Sequence, residues 1–313
     1  DVLFEMVGVD IDEARHEIVT ADVDGTWQFT PSVPLSEGAH ALTYTLTNGA
    51  GTESAKSPAL ILSVDTTAPA TPAAPTNYND NAGTITNPTS TAGVTDDTTP
   101  GLNVGAGLTD TPKLYVDGVL TPATYDAATG TLTPTTPLAE GAHTLAYTLT
   151  DAAGNESLKS PTLPVSVDTT APAAPATPTT YKDDVGSVTG AASTAGTTDD
   201  TTPGINVGVG LTDTPKLYVD GVLTPATYDA VTGTLTPNSP LSNGLHNFST
   251  TLTDAAGNES AKSGVLPITI DGSAVATPAA PTSYNDDVAA VTNALSTAAT
   301  TNDTKPGLNI GTA

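Results

Sequence analysis

Cysteine is absent from the 313-residue sequence, so disulfides, thiolate metal sites and cysteine nucleophiles are excluded. Positive charge is scarce: 8 Lys and Arg stand against 34 Asp and Glu, a formal net charge of −26. A nucleic-acid backbone requires clustered Lys and Arg to displace its counterions, so that class of partner is excluded. An anionic membrane surface is disfavoured on the same ground. No apolar run approaches the roughly 18 residues of a membrane-spanning helix, so no membrane insertion is expected. Aromatic residues make up only 4 % of the chain, which leaves Val, Leu, Ile, Ala and Thr methyls to build any core. Gly (28) and Pro (26) are too few for a low-complexity chain. An initiator Met, a signal peptide and a targeting tail are also missing, and the sequence reads as a piece of a longer chain.

What the sequence does contain is itself, repeated. Asp65-Thr-Thr-Ala-Pro69 returns as Asp168-Thr-Thr-Ala-Pro172, and Thr95-Asp-Asp-Thr-Thr-Pro-Gly101 returns at 198–204 and, more loosely, at 301–307. Residues 108–127 are identical to 211–230, and 148–157 to 251–260. Every offset is 103 residues, with no insertion or deletion. A weaker copy precedes them, in which 35–40 aligns with 138–143 and 45–54 with 148–157. Solenoid repeats run about 20–50 residues, so this period is that of a whole domain. Phased on Asp-Thr-Thr-Ala-Pro, the repeats are 1–64 (truncated), 65–167, 168–270 and 271–313 (truncated, a linker and first strands).

Within 65–167 the apolar residues alternate in short runs bounded by Gly, Pro and Asp, the signature of strands. Lys113-Leu-Tyr-Val-Asp-Gly118 places Leu114 and Val116 on one face and ends in Asp-Gly, a tight-turn pair. His143 to Thr150 places Leu145, Tyr147 and Leu149 on one face; the matching Phe248, Thr250 and Leu252 keep the pattern with one polar exception. Leu163 to Val167 reads as the last strand, its Pro implying an edge position. Helical periodicity is missing, and Thr-rich, Pro-punctuated sequence opposes helix. About seven short strands per repeat predict an all-β fold: tandem immunoglobulin-like β-sandwich domains without the disulfide, arranged end to end as an elongated rod.

The ordered motifs, together with Thr150-Asp-Ala-Ala-Gly-Asn155 and 253–258 and the first repeat's Asp24-Gly-Thr-Trp-Gln-Phe-Thr-Pro31, give a resemblance over nearly the whole chain. The repeats resemble the bacterial immunoglobulin-like repeats of giant adhesins and biofilm-associated surface proteins, which are typically exported by type I secretion. The resemblance implies an extracellular or cell-surface location, a monomeric rod and a mechanical role. It also implies where the loops fall. Asp151–Asn155 and Asp254–Asn258 become top loops facing the preceding domain. The linker aspartates Asp65, Asp168 and Asp271 lie at the hand-over, with Asp65 near Asp151 and Asn155, and Asp168 near Asp254 and Asn258.

The bottom loop, 80–97, is 18 residues long with little hydrophobic alternation and acidic at both ends. It offers Asp80, Asp96 and Asp97; the next repeat offers Asp183, Asp184, Asp199 and Asp200; the last offers Asp286, Asp287 and Asp303, with Asn302 in place of one Asp. Carboxylates brought together repel unless a cation intervenes. Calcium accepts six to eight oxygens from Asp, Asn and backbone carbonyls, whereas magnesium demands a stricter octahedron and zinc calls for His or Cys. Calcium at the joints and in the bottom loops is therefore expected. The competing reading is that these residues form turns and solubilise the rod.

Other candidates carry less. His40, His143 and His246 occupy one place in three repeats, too far apart to share a metal, and read as structural residues at a turn. Trp27 reads as a core-facing strand residue, and Tyr115 and Tyr218 as exposed or half-covered aromatics that could form a weak glycan-binding stripe. The acidic pairs Asp10/Asp12 and Asp22/Asp24 have no assigned place. No nucleophile elbow or catalytic cleft is visible, so the chain is read as non-enzymatic. The sequence thus points to a calcium-stiffened spacer that holds a distal binding region, for a host-cell or surface glycan or protein, away from the cell. The alternative is that the repeats themselves bind glycans or a partner surface.

Overall fold

Alternation of apolar and polar residues dictates strands, and strands are the only regular elements among the described residues. The computed structural model describes residues 4–20, 26–288 and 292–310. No helix in it is long and apolar enough to cross a membrane. Asp22 and Asp24 lie outside the described residues. Compactness divides the chain into two units: Asp1–Ala176 with Gly210–Lys216 and Thr250–Ser263, and Thr177–Val209 with Leu217–Ser249 and Gly264–Ala313.

The first repeat supplies one four-stranded antiparallel sheet, built from β1 (Phe4–Ile11), β2 (Arg15–Thr20), β3 (Gly38–Asn48) and β4 (Leu60–Val64) in the order β2-β1-β3-β4. Val7, Val9 and Ile11 are buried along β1. Trp27 lies in no strand; its ring packs on Tyr44 with centroids 5.2 Å apart, and it is 37 % exposed. The core-strand reading of Trp27 is thereby corrected.

The second repeat has ten strands: β5 (Tyr78–Asp80), β6 (Asn87–Ser90), β7 (Val94–Thr95), β8 (Gly101–Asn103), β9 (Thr111–Val116), β10 (Val119–Thr121), β11 (Ala123–Asp126), β12 (Thr131–Pro134), β13 (Gly141–Thr150) and β14 (Leu163–Val167). They form two five-stranded sheets, β10-β9-β13-β14-β7 and β11-β12-β8-β5-β6. Along β9, Pro112, Leu114 and Val116 are buried while Lys113 and Tyr115 are half covered, as a period of two requires. Asp117 and Gly118 both take positive φ (51° and 80°), the type I′ geometry that matches the twist of a two-residue hairpin. The core is Tyr78, Leu102, Leu114, Val116, Leu132, Leu145, Tyr147 and Val165, drawn from both sheets. Buried Tyr78 spends its hydroxyl on Ala92 O at 3.1 Å.

The strand carrying Pro164 is not at an edge. β14 lies between antiparallel β13 and parallel β7. Its proline is tolerated because β7 is two residues long and pairs only with Ser166 and Val167, so no ladder partner awaits the missing N–H.

All ten strands return 103 residues later, from Tyr181–Asp183 to Leu266–Ile270, with the same two sheet orders. The second unit has its own core of Tyr181, Ile205, Leu217, Val219, Leu235, Phe248 and Ile268. Thr250, the polar exception of the alternation, is buried; its amide donates to Ser263 Oγ at 3.0 Å. A three-stranded sheet of Ser283–Asp286, Asn293–Ser296 and Gly307–Asn309 ends the described chain.

Candidate metal centre in the acidic loops

The 80–97 loop is not structureless, because it contains β6 and β7. Folding these short strands back brings the two ends of the loop together around one buried hydroxyl. Thr95 Oγ1 donates to Asp80 Oδ2 at 2.8 Å and accepts the Asp97 amide at 3.0 Å. Asp97 Oδ2 takes the Asn81 amide at 3.2 Å, and its Oδ1 takes the Thr99 amide at 2.8 Å. Asp80, Thr95 and Asp97 are all nearly inaccessible, at 4 %, 0 % and 2 % exposure. Burial pushes the Asp80 carboxyl above its ordinary range, helped by the charge of Asp97 and opposed by the Thr95 hydrogen bond.

Asp183, Thr198 and Asp200 repeat this latch with bonds of 2.8 and 3.0 Å. Asp286, Thr301 and Asp303 repeat it again at 2.8 and 2.9 Å. Sequence reading selected the aspartates and missed the threonine between them, although Thr-x-Asp recurs at every copy.

Asp96 is the carboxylate without a settled partner. Its Oδ1 is buried and accepts no hydrogen bond, and burial, then Asp80, Asp97 and Asp254, push its carboxyl up. The side chain lies over Gly83, whose φ of 59° and lack of Cβ leave the room it occupies. Within the first unit, this loop also meets the Asp254–Asn258 loop directly. The Asp96 amide donates to Ala256 O at 3.2 Å, and Thr84 Oγ1 donates to Gly257 O at 2.8 Å. Asp199 occupies the corresponding place over Gly186.

The linker and top-loop residues meet as expected from the resemblance, but through amides. Asn155 Nδ2 donates to Asp65 O at 3.0 Å and to Asp151 Oδ2 at 3.0 Å. Asn258 Nδ2 donates to Asp168 O at 2.7 Å and to Asp254 Oδ2 at 3.0 Å. Asp151 Oδ1 further accepts the amides of Ala153 and Asn155, and the Asn155 side chain leads the contacts that hold its carboxyl below the usual range. Asp65, Asp168 and Asp271 each turn their Oδ1 onto the amide two residues on, at 3.0, 3.0 and 3.1 Å. These carboxylates act as turn formers. Asp184 is set apart from the latch by an exposed ion pair with Lys182 (2.6 Å), and Asp287 is exposed.

The linkers are also held by residues that sequence reading missed. Glu37 Oε2 accepts the Thr66 amide at 3.1 Å, and Glu140 Oε2 accepts the Thr169 amide at 3.0 Å. Asn243 takes their place in the next copy, accepting the Gly272 amide at 3.1 Å. The signal was the aligned Glu-Gly of 37–38 and 140–141, each just ahead of a strand.

Among the described residues no three His, Asp or Glu side chains are assembled as a ready-made metal cage. A hard cation nonetheless fits the donor chemistry of the latches. Buried carboxylate oxygens without partners remain on Asp96, Asp183, Asp200 and Asp303, and the Ala256 and Gly257 carbonyls border Asp96.

His40, His143 and His246 form a separate set, each clamping a hairpin turn. His143 Nδ1 lies 2.7 Å from Asp117 Oδ2 and its Nε2 2.9 Å from Ala139 O. One face of the Tyr115 ring is covered by Lys159 Nζ, 4.0 Å from its centroid, and its hydroxyl donates to Glu156 at 2.8 Å.

A bacterial Ig-like domain profile matches residues 4–66, 71–169 and 174–272. The chain belongs to the bacterial Ig-like domain family. No curated protein matches it. Among solved structures it is similar to fibronectin(III)-like modules of Clostridium thermocellum CbhA, at 16 % identity and a TM-score of 0.33, over 56 % of this chain and 87 % of that one. It is also similar to dimeric latent PorU of Porphyromonas gingivalis, at 16 % identity and a TM-score of 0.19, over 86 % of this chain and 30 % of that one. Three tandem matches make this a bacterial Ig-like repeat protein.

Proposed function

We propose that the chain is a spacer segment of a secreted bacterial surface adhesin, exported by a type I route, whose bacterial Ig-like domains are stiffened by calcium outside the cell. A distal host-cell or surface ligand is bound by other regions, and the repeats themselves do no catalysis. One observation carries the reading. Thr95 joins Asp80 to Asp97, and between them in sequence Asp96 carries a buried, unpaired oxygen in a loop that touches Ala256 and Gly257. Asp183, Asp199 and Asp200 stand at the same repeat positions.

In this reading Asp80, Asp96 and Asp97 hold one ion and Asp183, Asp199 and Asp200 another, with backbone carbonyls completing each shell. Bound calcium supplies positive charge that relieves carboxylate repulsion. An ion held at about 10 µM in a medium of about 1 mM adds about 2.7 kcal/mol to the ordered loop. The low cytosolic level leaves the loops looser before export. Near-identity of neighbouring repeats suits a spacer, which needs length and not a varied surface.

Isothermal titration of the whole chain with calcium chloride tests this. Heat that saturates below millimolar calcium, and weakens in Asp96→Asn and Asp199→Asn variants, supports the proposal. Absence of heat at millimolar calcium overturns it and leaves the aspartates as turn formers.

A further inference from the structure

Each of three repeats carries an imidazole whose two ring nitrogens both face acceptors. His40 Nδ1 lies 2.6 Å from Asp12 Oδ2 and its Nε2 2.8 Å from Ser36 O. His143 repeats this with Asp117 and Ala139 O at 2.7 and 2.9 Å, and His246 with Asp220 and Ser242 O at 2.8 and 2.9 Å. The second oxygen of each aspartate accepts the amide after the histidine: Ala41, Thr144 and Asn247, at 2.7, 2.8 and 2.8 Å. Each aspartate sits in a hairpin turn at positive φ (53°, 51° and 53°), a conformation that costs energy in any residue but glycine.

We propose that these three His–Asp clamps are proton-operated locks, which tie a hairpin turn to the loop before the long central strand only while the imidazole is doubly protonated.

The argument is one of donors. A neutral imidazole has one N–H, so one ring nitrogen would point a lone pair at an oxygen. If Nε2 loses the proton, a lone pair meets the backbone carbonyl; if Nδ1 loses it, a lone pair meets a carboxylate. Only the imidazolium satisfies both contacts, and the 2.6–2.8 Å separations on the carboxylate side are those of charge-assisted bonds. The charged groups around each ring are few. His143 faces Asp117, and the neighbouring Gly93, Pro164, Val165 and Ser166 bear no charge. His246 faces Asp220, with the Phe248 ring edge-on at 6.5 Å. His40 faces Asp12, with Arg15 opposing.

The direction of titration agrees. His143 is raised by Asp117, then by the Ala139 carbonyl; His40 is raised by the Ser36 carbonyl, then by Asp12. For His246 burial is the largest influence and lowers it, but Asp220 and the Ser242 carbonyl together outweigh it. A raised histidine contributes stability that is complete below its unfolded value of about 6.5 and is lost as pH rises through the folded value. The partner aspartates are held low, so their contribution is lost only as pH falls below the ordinary carboxylate range. The locks are therefore tightest between about pH 4 and 6.5 and open on the alkaline side.

Imidazole resonances of the whole chain, followed by NMR from pH 4.5 to 9, test the proposal. His40, His143 and His246 should titrate above 6.5, and Asp117→Asn should return only His143 to 6.5 or below. Thermal melts give a second readout. The wild-type midpoint should fall from pH 6 to 8.5, and the fall should flatten in a chain carrying His40→Gln, His143→Gln and His246→Gln. Three midpoints at or below 6.5, or a His143 midpoint indifferent to Asp117→Asn, overturn it.

Discussion

Replacing Thr95 by Val tests whether a single hydroxyl organises the acidic loop. Val keeps the shape and the β-branching, so the change is confined to two hydrogen bonds. The hydroxyl donates to Asp80 Oδ2 at 2.8 Å and accepts the Asp97 amide at 3.0 Å, in a residue with no exposed surface. Its loss strands one carboxylate oxygen and one amide in the interior. Each buried group left without a partner costs about 1–3 kcal/mol, so with two such groups the second repeat should lose about 2–6 kcal/mol. Hydrogen exchange read by mass spectrometry gives the value repeat by repeat in the intact chain. Peptides covering Gly141–Thr150 should exchange about 30- to 20,000-fold faster, since each 1.4 kcal/mol is a factor of about ten. Gly38–Asn48, the corresponding strand of the first repeat, is the internal control. Acceleration below about threefold would refute the idea that the latch is held by its threonine.

Three further outcomes follow from the same geometry. Leu145→Ala empties a fully buried site and should destabilise its repeat by about 2–5 kcal/mol, seen as earlier cleavage of that repeat in urea-dependent pulse proteolysis. Asn258→Ala removes the 2.7 Å bond to the Asp168 carbonyl and should weaken that linker by about 0.5–1.5 kcal/mol. Limited proteolysis within 168–172 should then quicken while 65–69 stays as slow as before. Glu156 is held down to about 2 by Lys113, Thr148 and Tyr115. A depressed carboxylate stabilises above its ordinary pKa and loses that contribution as pH falls through the folded one. Acid melts between pH 4.5 and 2 should therefore steepen relative to Glu156→Gln, and carboxyl-carbon NMR should place the Glu156 midpoint near 2.

Strands β9 and β13 and the Asp117-Gly118 turn were legible because a period of two and a positive-φ pair are local properties of sequence. The all-β, Ig-like architecture followed from them. Pro164 misled because its tolerance depends on where a two-residue strand from elsewhere stops, which no local pattern records. Trp27 misled for a related reason: an apolar neighbourhood in sequence does not say whether the segment pairs. The acidic character of the 80–97 loop was plain, but its organiser was not. Thr95 is one of many threonines, and only folding closes β5 against β7 around it. Glu37 and Glu140 escaped because they act on linkers about thirty residues away in sequence.

The substitution of Leu145 by Phe248, and of Tyr147 by Thr250, has a consequence for how the chain matures. Adjacent copies share identical β9–β10 hairpins, so nascent neighbours could trade partners during synthesis and become entangled. The central strand on which each hairpin packs differs, with its bulk moved by two residues from one copy to the next. Because the two hairpins are identical and each natively packs on a different pair, Leu145/Tyr147 or Phe248/Thr250, the hairpin itself does not tell the strands apart, and the far shorter loop to its own strand is what keeps twin segments on their own side of the linker.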